Sequence, residues 1–338
     1  MRPRIILIYV SVMIGNPSFS QDKVIAGVTN LQSGQGTSFV AQKDSTFEVI
    51  AVNQFNHSAE IIDIAYSGGK LYQVGKYLTE KGPVLFYSCD AVVKIISESN
   101  HDYANSIEVA GSDVYITGVF KKGDNNHACY WKNGKRVLLS KLPSEANKLV
   151  IDGKDIYVAG HIRKKGISVA AYWKNGEITE LGSGKTHSSL QSIVIADKKV
   201  YSCGFTTRKV NQATYWIEES GIVLSENESL AVDLKLTGYD VIILGQEVIV
   251  SNNTAVVWEN NSDAKTVLFS RPNYEAKAIG LLINEEDVYI TGLIENLKGN
   301  NQSILWKNYK QYFLNDSDSN TSITKPVRMA KVSPNINN

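Results

Sequence analysis

Apolar and polar residues alternate along most of the chain, as in Ser106-Ile107-Glu108-Val109, and long stretches at helical spacing are scarce. A period of two puts apolar side chains on one face of a strand, so the pattern predicts an all-β protein. The segments group into units of four strands. The first alternates, as above. After a short Gly/Asp turn comes a second strand, Asp113-Val114-Tyr115-Ile116-Thr117-Gly118. A polar loop from Lys121 to Asn126 leads to a third strand with Tyr130-Trp131. Asn133-Gly134 then supplies the positive φ angles of a tight hairpin, and Arg136-Val137-Leu138-Leu139 forms the fourth strand.

The unit recurs. Tyr-Trp-Lys-Asn-Gly is spelled at 130–134 and again at 172–176. The second-strand signature returns as Asp155-Ile156-Tyr157-Val158-Ala159-Gly160 and Asp287-Val288-Tyr289-Ile290-Thr291-Gly292, with weaker copies at 70–75 and 199–204 and degenerate ones at 247–251 and 23–27. The tyrosine position falls at 24, 72, 115, 157, 201, 249 and 289, and Trp131, Trp173, Trp216, Trp258 and Trp306 each lie 9 to 17 residues after it. A unit that cannot bury both faces alone must stack on its neighbours. The expectation is a seven-bladed β-propeller of four-stranded blades, with the indoles packed between blades. The first unit, from Val24, lacks a first strand, and the segment from Ile323 to Val332 can supply it. The ring would then be closed by a C-terminal strand completing the first blade, with Pro326 at that strand's start because it cannot donate to a ladder. The corresponding division is a signal peptide over 1–20, the propeller over 21–332 and a flexible tail over 333–338.

On these residues the chain resembles secreted bacterial β-propellers with Tyr-Trp-Lys-Asn-Gly repeats of the HAF-like type, and its second-strand hairpin resembles NHL-type blades. The resemblance covers nearly the whole mature chain and implies architecture, since propellers host enzymes, lectins and scaffolds alike.

Composition changes the picture in three places. Arg2 and Arg4, the apolar run Ile5 to Ile14 and Ser18-Phe19-Ser20 read as a cleaved signal, too short to span a bilayer, so the expected location is secreted or periplasmic. The net charge of +1, with no long run of one sign, gives no basic footprint for nucleic acid. Cys89, Cys129 and Cys203 are odd in number and lack paired spacing, which argues against a disulfide framework.

The search for chemistry leaves little. Gly182-Ser183-Gly184-Lys185-Thr186 lacks the earlier glycine of a phosphate loop. Asp316-Ser317-Asp318-Ser319-Asn320 lacks the glycine and glutamate of a calcium loop. No cofactor and no metal is expected. His57, His101 and His187 each lie in the connection from an outer strand to the next inner strand, as do Tyr103, Tyr274 and Arg271. Such connections cross one face toward the mouth of the central channel. His127 and His161 lie in loops that can share that face. The expected function is a non-catalytic binding or scaffold propeller, a monomer that recognises a glycan or a protein. The alternative is a polysaccharide lyase or glycosidase in which these histidines and tyrosines move protons, so catalysis is left open.

Overall fold

The structure, a computed structural model, describes residues 23–30, 37–43, 46–53, 59–89, 92–238, 240–259, 265–314, 321–323 and 327–329. The expected signal segment 1–20, the tail 333–338, His57 and Pro326 lie outside the described residues.

The first blade runs β4 (Ala59–Ser67), β5 (Lys70–Thr79), β6 (Gly82–Cys89) and β7 (Val92–Ser97), after β1 (Lys23–Asn30), β2 (Thr37–Lys43) and β3 (Thr46–Asn53). The second is β8 (Tyr103–Ala110), β9 (Asp113–Lys122), β10 (Asn125–Lys132) and β11 (Lys135–Leu138). The third is β12 (Ser144–Asp152), β13 (Asp155–Lys164), β14 (Ile167–Lys174) and β15 (Glu177–Glu180). The fourth is β16 (Ser188–Ala196), β17 (Lys199–Thr207), β18 (Asn211–Ile217) and β19 (Ser220–Val223). The fifth is β20 (Ser229–Thr237), β21 (Asp240–Ile249), β22 (Asn252–Glu259) and β23 (Lys265–Phe269). The sixth is β24 (Tyr274–Asn284), β25 (Asp287–Asn296), β26 (Asn301–Lys307) and β27 (Lys310–Phe313). Each is an antiparallel meander in chain order.

The expectation of seven four-stranded blades is therefore corrected to six. The two ends of the described chain form a sheet of different build, five-stranded, in which β1–β2–β3 is joined by β28 (Thr321–Ile323) and β29 (Val327–Met329). Both short strands pair antiparallel with β1, through Val28↔Ile323 and Ile25↔Val327. The unit that lacked a first strand thus gains two short ones in place of one, and does not repeat the blade pattern.

Consecutive inner strands, from β4 through β8, β12, β16 and β20 to β24, lie against one another around the axis. Each carries a β-bulge at the same place, between Ile61 and Asp63, Ala104 and Ser106, Ala146 and Lys148, Leu190 and Ser192, Ala231 and Asp233, and Ala278 and Gly280. The extra residue pushes an inner-strand carbonyl against the second strand, and this explains the glycine that ends the second-strand signature. A Cβ on Gly160 or Gly204 would sit 1.9 Å from the carbonyl oxygen of Glu145 or Ser189, so only glycine fits.

The five indoles are buried, and each packs on the preceding blade. Trp131 joins Val74 and Leu85, Trp173 joins Ala128, Trp216 joins Tyr157, Trp258 joins Tyr215, and Trp306 joins Leu244 and Val257. These contacts stack the blades and give the molecule two ends, one with the Asn-Gly hairpins and one with the connections between blades.

Candidate functional site at the mouth end

In each blade the first-to-second and third-to-fourth strand turns share one end, here the hairpin end. The second-to-third turns and the blade connections share the other, the mouth end. Between them runs the axis, where the residues after the bulges meet. Asp233 is almost fully buried there. Its Oδ1 accepts from Ser192 Oγ at 2.7 Å and faces Lys148 Nζ at 3.5 Å, while its Oδ2 accepts from the Leu281 amide at 3.1 Å. Burial opposes this charge, but the ammonium groups of Lys148 and Lys235, with the Ser192 hydroxyl and Leu281 amide, hold the carboxyl well below the usual carboxylate range. One side chain thus ties the inner strands of blades three to six. Asp63 plays a related part, accepting the Ile107 amide of the next blade at 2.9 Å.

Above this layer, at the mouth end, the seams between blades two, three and four are lined by hydrogen-bonded polar groups. The Tyr103 hydroxyl donates to Glu145 Oε1 at 2.8 Å across the first seam, and Asn126 Nδ2 reaches the same hydroxyl at 3.4 Å. Lys76 Nζ sits 5.8 Å from the Tyr103 ring centre. Asn105 donates to the Ala146 carbonyl at 2.9 Å, and Asn147 to the Leu190 carbonyl at 2.6 Å. Across the next seam, His161 Nδ1 lies 3.1 Å from Ser189 Oγ. Burial holds His161 below the ordinary imidazole value, Arg163 and His187 act in the same direction, and Glu145 opposes them. Burial, then the hydrogen bond to Glu145, push the Tyr103 hydroxyl well above the ordinary phenol value. Tyr103 is therefore a fixed donor that keeps its proton.

Of the residues singled out by sequence, Tyr103 and His161 are part of this network, and each lies in a strand, β8 and β13, and not in the connection or loop expected for it. His187 stands beside it, exposed, with Nδ1 accepting the Ser168 amide at 3.2 Å. His101 is exposed on a connection stapled by buried Asp102, which accepts from Ser97 Oγ at 2.7 Å and from the Lys121 amide at 3.1 Å. Arg271 and Tyr274 meet each other, with the guanidinium 4.6 Å from the ring centre, at the start of the sixth blade. They are thus placed apart from the Tyr103 network along the chain of blades. Glu145, Asn126, Asn147 and Ser189 were not singled out. Their only signal is position, at or just beyond the starts of inner strands and third strands, and it becomes readable once the strand boundaries are known.

The fold defines the class of the molecule, a β-propeller. No family model matches the chain, and no curated protein matches it. Among solved structures it is similar to a prolyl endopeptidase (10% identity, TM-score 0.54, covering 89% of this chain and 50% of that one). It is also similar to the β-propeller domain of the Trilobed protease from Pyrococcus furiosus (12% identity, TM-score 0.52, covering 86% and 98%) and to an acylaminoacyl peptidase (15% identity, TM-score 0.50, covering 87% and 51%). The chain spans about half the length of the prolyl endopeptidase and the acylaminoacyl peptidase, and at these identities the likeness is one of fold.

Proposed function

We propose that the chain is a non-catalytic binding propeller, secreted or periplasmic, that holds a glycan or protein partner at the mouth end of blades two to four. The observation that carries this is the Tyr103–Glu145–Asn126 network beside His161–Ser189, which gathers fixed donors and acceptors at four partly buried residues and the buried Ser189 at the mouth end of two seams. Recognition needs such pre-organised polar groups. The N-terminal charge and apolar pattern, and the resemblance to HAF-like extracellular repeats, support a location outside the cytoplasm. The lyase reading is weakened by the direction of the Tyr103 shift, because a tyrosine base needs a lowered value. Among the described residues no helix is long and apolar enough to cross a membrane.

The test is a photo-reactive amino acid placed at Asn126 on the mouth end and at Lys135 on the hairpin end, irradiated in the cells that make the protein. Adducts from position 126 and none from 135 are expected. Adducts only from 135, or cleavage of anionic polysaccharide by the pure protein, would overturn the reading.

A further inference from the structure

The two most exposed large apolar side chains among the described residues are Val250, 91% exposed, and Leu297, 81% exposed. Both stand on second-to-third strand turns at the mouth end, on neighbouring blades five and six. Val250 also has φ 48° and its neighbour Ser251 φ 67°. A β-branched residue in this left-handed region is strained, and asparagine or glycine would be easier there. The equivalent turns of blades two, three and four are basic, with Lys121 and Lys122, Arg163 and Lys165, and Arg208 and Lys209. Lys164 is already paired with Glu180 at 2.6 Å, and within these three turns Asp124 alone has the opposite charge. The overall charge of +1 conceals this crescent. At the hairpin end, Asp113, Asp155 and Asp287 are each bound to a lysine.

We propose that the mouth end docks peripherally on an anionic lipid surface, with Val250 and Leu297 entering the interface and the basic turns of blades two to four lying on the headgroups. Bare aliphatic tips beside a basic arc are what such a surface selects. The apolar side chains gain by leaving water, and the cations are attracted to the negative leaflet. A soluble polyanion would use the arc and ignore the tips. The inference goes beyond the partner-binding reading and does not depend on it, since it concerns the turn tips and not the seam residues.

The full chain is sedimented with vesicles of phosphatidylcholine alone and of phosphatidylcholine with phosphatidylglycerol. Binding to the mixed vesicles is expected, at least tenfold above binding to the neutral ones and weakened by salt. The pair Val250→Ser and Leu297→Ser should lower partitioning about tenfold with a melting temperature that does not fall, because both side chains stand in solvent and serine relieves the strain at position 250. The pair Lys165→Gln and Lys209→Gln should lower it several-fold and flatten its salt dependence. Failure of the wild type to bind mixed vesicles overturns the proposal. So does undiminished binding by the serine pair, and equal capture by a soluble sulfated polysaccharide would then assign the arc to an anionic glycan. Photo-adducts at position 126 are identified by mass as glycan, protein or lipid, and only the first two support the partner-binding reading, so either proposal can fail alone.

Discussion

At the hairpin end, three blades make one set of contacts. Asn133 Oδ1 accepts the Val114 amide, its Nδ2 donates to Asp113 Oδ1 at 2.7 Å, and Lys132 pairs with Asp113 Oδ2 at 2.7 Å while lying 5.2 Å from the Tyr115 ring centre. Asn175, Asp155, Lys174 and Tyr157 repeat this, as do Asn308, Asp287, Lys307 and Tyr289. At the mouth end the seam side chains change from blade to blade, tyrosine with glutamate at one seam and histidine with serine at the next. Repetition therefore marks a part that holds each hairpin to its own blade. Departure from repetition marks a part free to specialise. The recurrent Lys-Asn is explained by the first kind: asparagine takes the positive φ, 52° at Asn133 and 51° at Asn175, and both residues clip the aspartate that opens the second strand.

The axis, which serves both ends, gives the largest expected effect. Asp233→Ala leaves Lys148, whose side chain is 14% exposed, without its carboxylate and removes the acceptor for the Leu281 amide, so unfolding in urea should show a loss of about 3–5 kcal/mol. Because the folded carboxyl is held below its unfolded value of about 3.9, its contribution is present above that pH and is lost as pH falls through the lower folded value. Asp233→Asn should remove that acid limb. An unchanged limb would show that the carboxylate does not tie the blades together.

Next comes the repeated clip. Asn175→Ala loses two hydrogen bonds and puts alanine at φ 51°, a cost of about 1 kcal/mol in thermal melting. Asn133→Ala should behave alike, and the two should add, since they clip separate blades. Photo-adducts at the mouth end should be unaffected in both. Loss of adducts with intact folding would erase the division between the ends.

How much of this was legible in the sequence depends on whether the information is local. The strand pattern, the Asn-Gly hairpins and the packing slots of the indoles were, because they recur in register, except in blade five, where the second-strand copy expected at 247–251 lies instead at Asp240 to Gly245 and pairs Ile243 with Trp258. The number of four-stranded blades was not. The outermost unit shares a sheet with two short C-terminal strands, and chain periodicity cannot say how a distant segment pairs. The bulges were hidden for the same reason, although Gly75, Gly118, Gly160, Gly204, Gly245 and Gly292 showed their trace. Glu145 was invisible as a partner of Tyr103 because the seam that joins them spans a whole repeat, and the basic arc was diluted in a balanced total charge. His101 and His187 were read correctly as lying in blade connections, yet the sequence could not tell that Tyr103 is bonded to its neighbours and His101 stands in solvent.

The smallest expected effect tests the mouth end by titration. Burial disfavours the charged form of His161 and holds it, when folded, below the ordinary imidazole value. In the unfolded chain it takes a proton near pH 6.5, roughly the free imidazole value. Acidification below that point therefore favours unfolding, and this part of the stability, present at neutral pH, declines as pH falls toward the folded value. In His161→Gln that slope should flatten while stability at pH 7 changes little, because glutamine can still meet Ser189 Oγ. The effect lies at higher pH than the Asp233 limb, so one set of urea titrations across pH separates the seam from the axis. If His161→Gln leaves the slope near pH 6 intact, the histidine is not sealed by its neighbours, and the mouth end is more open to water than its hydrogen bonds imply.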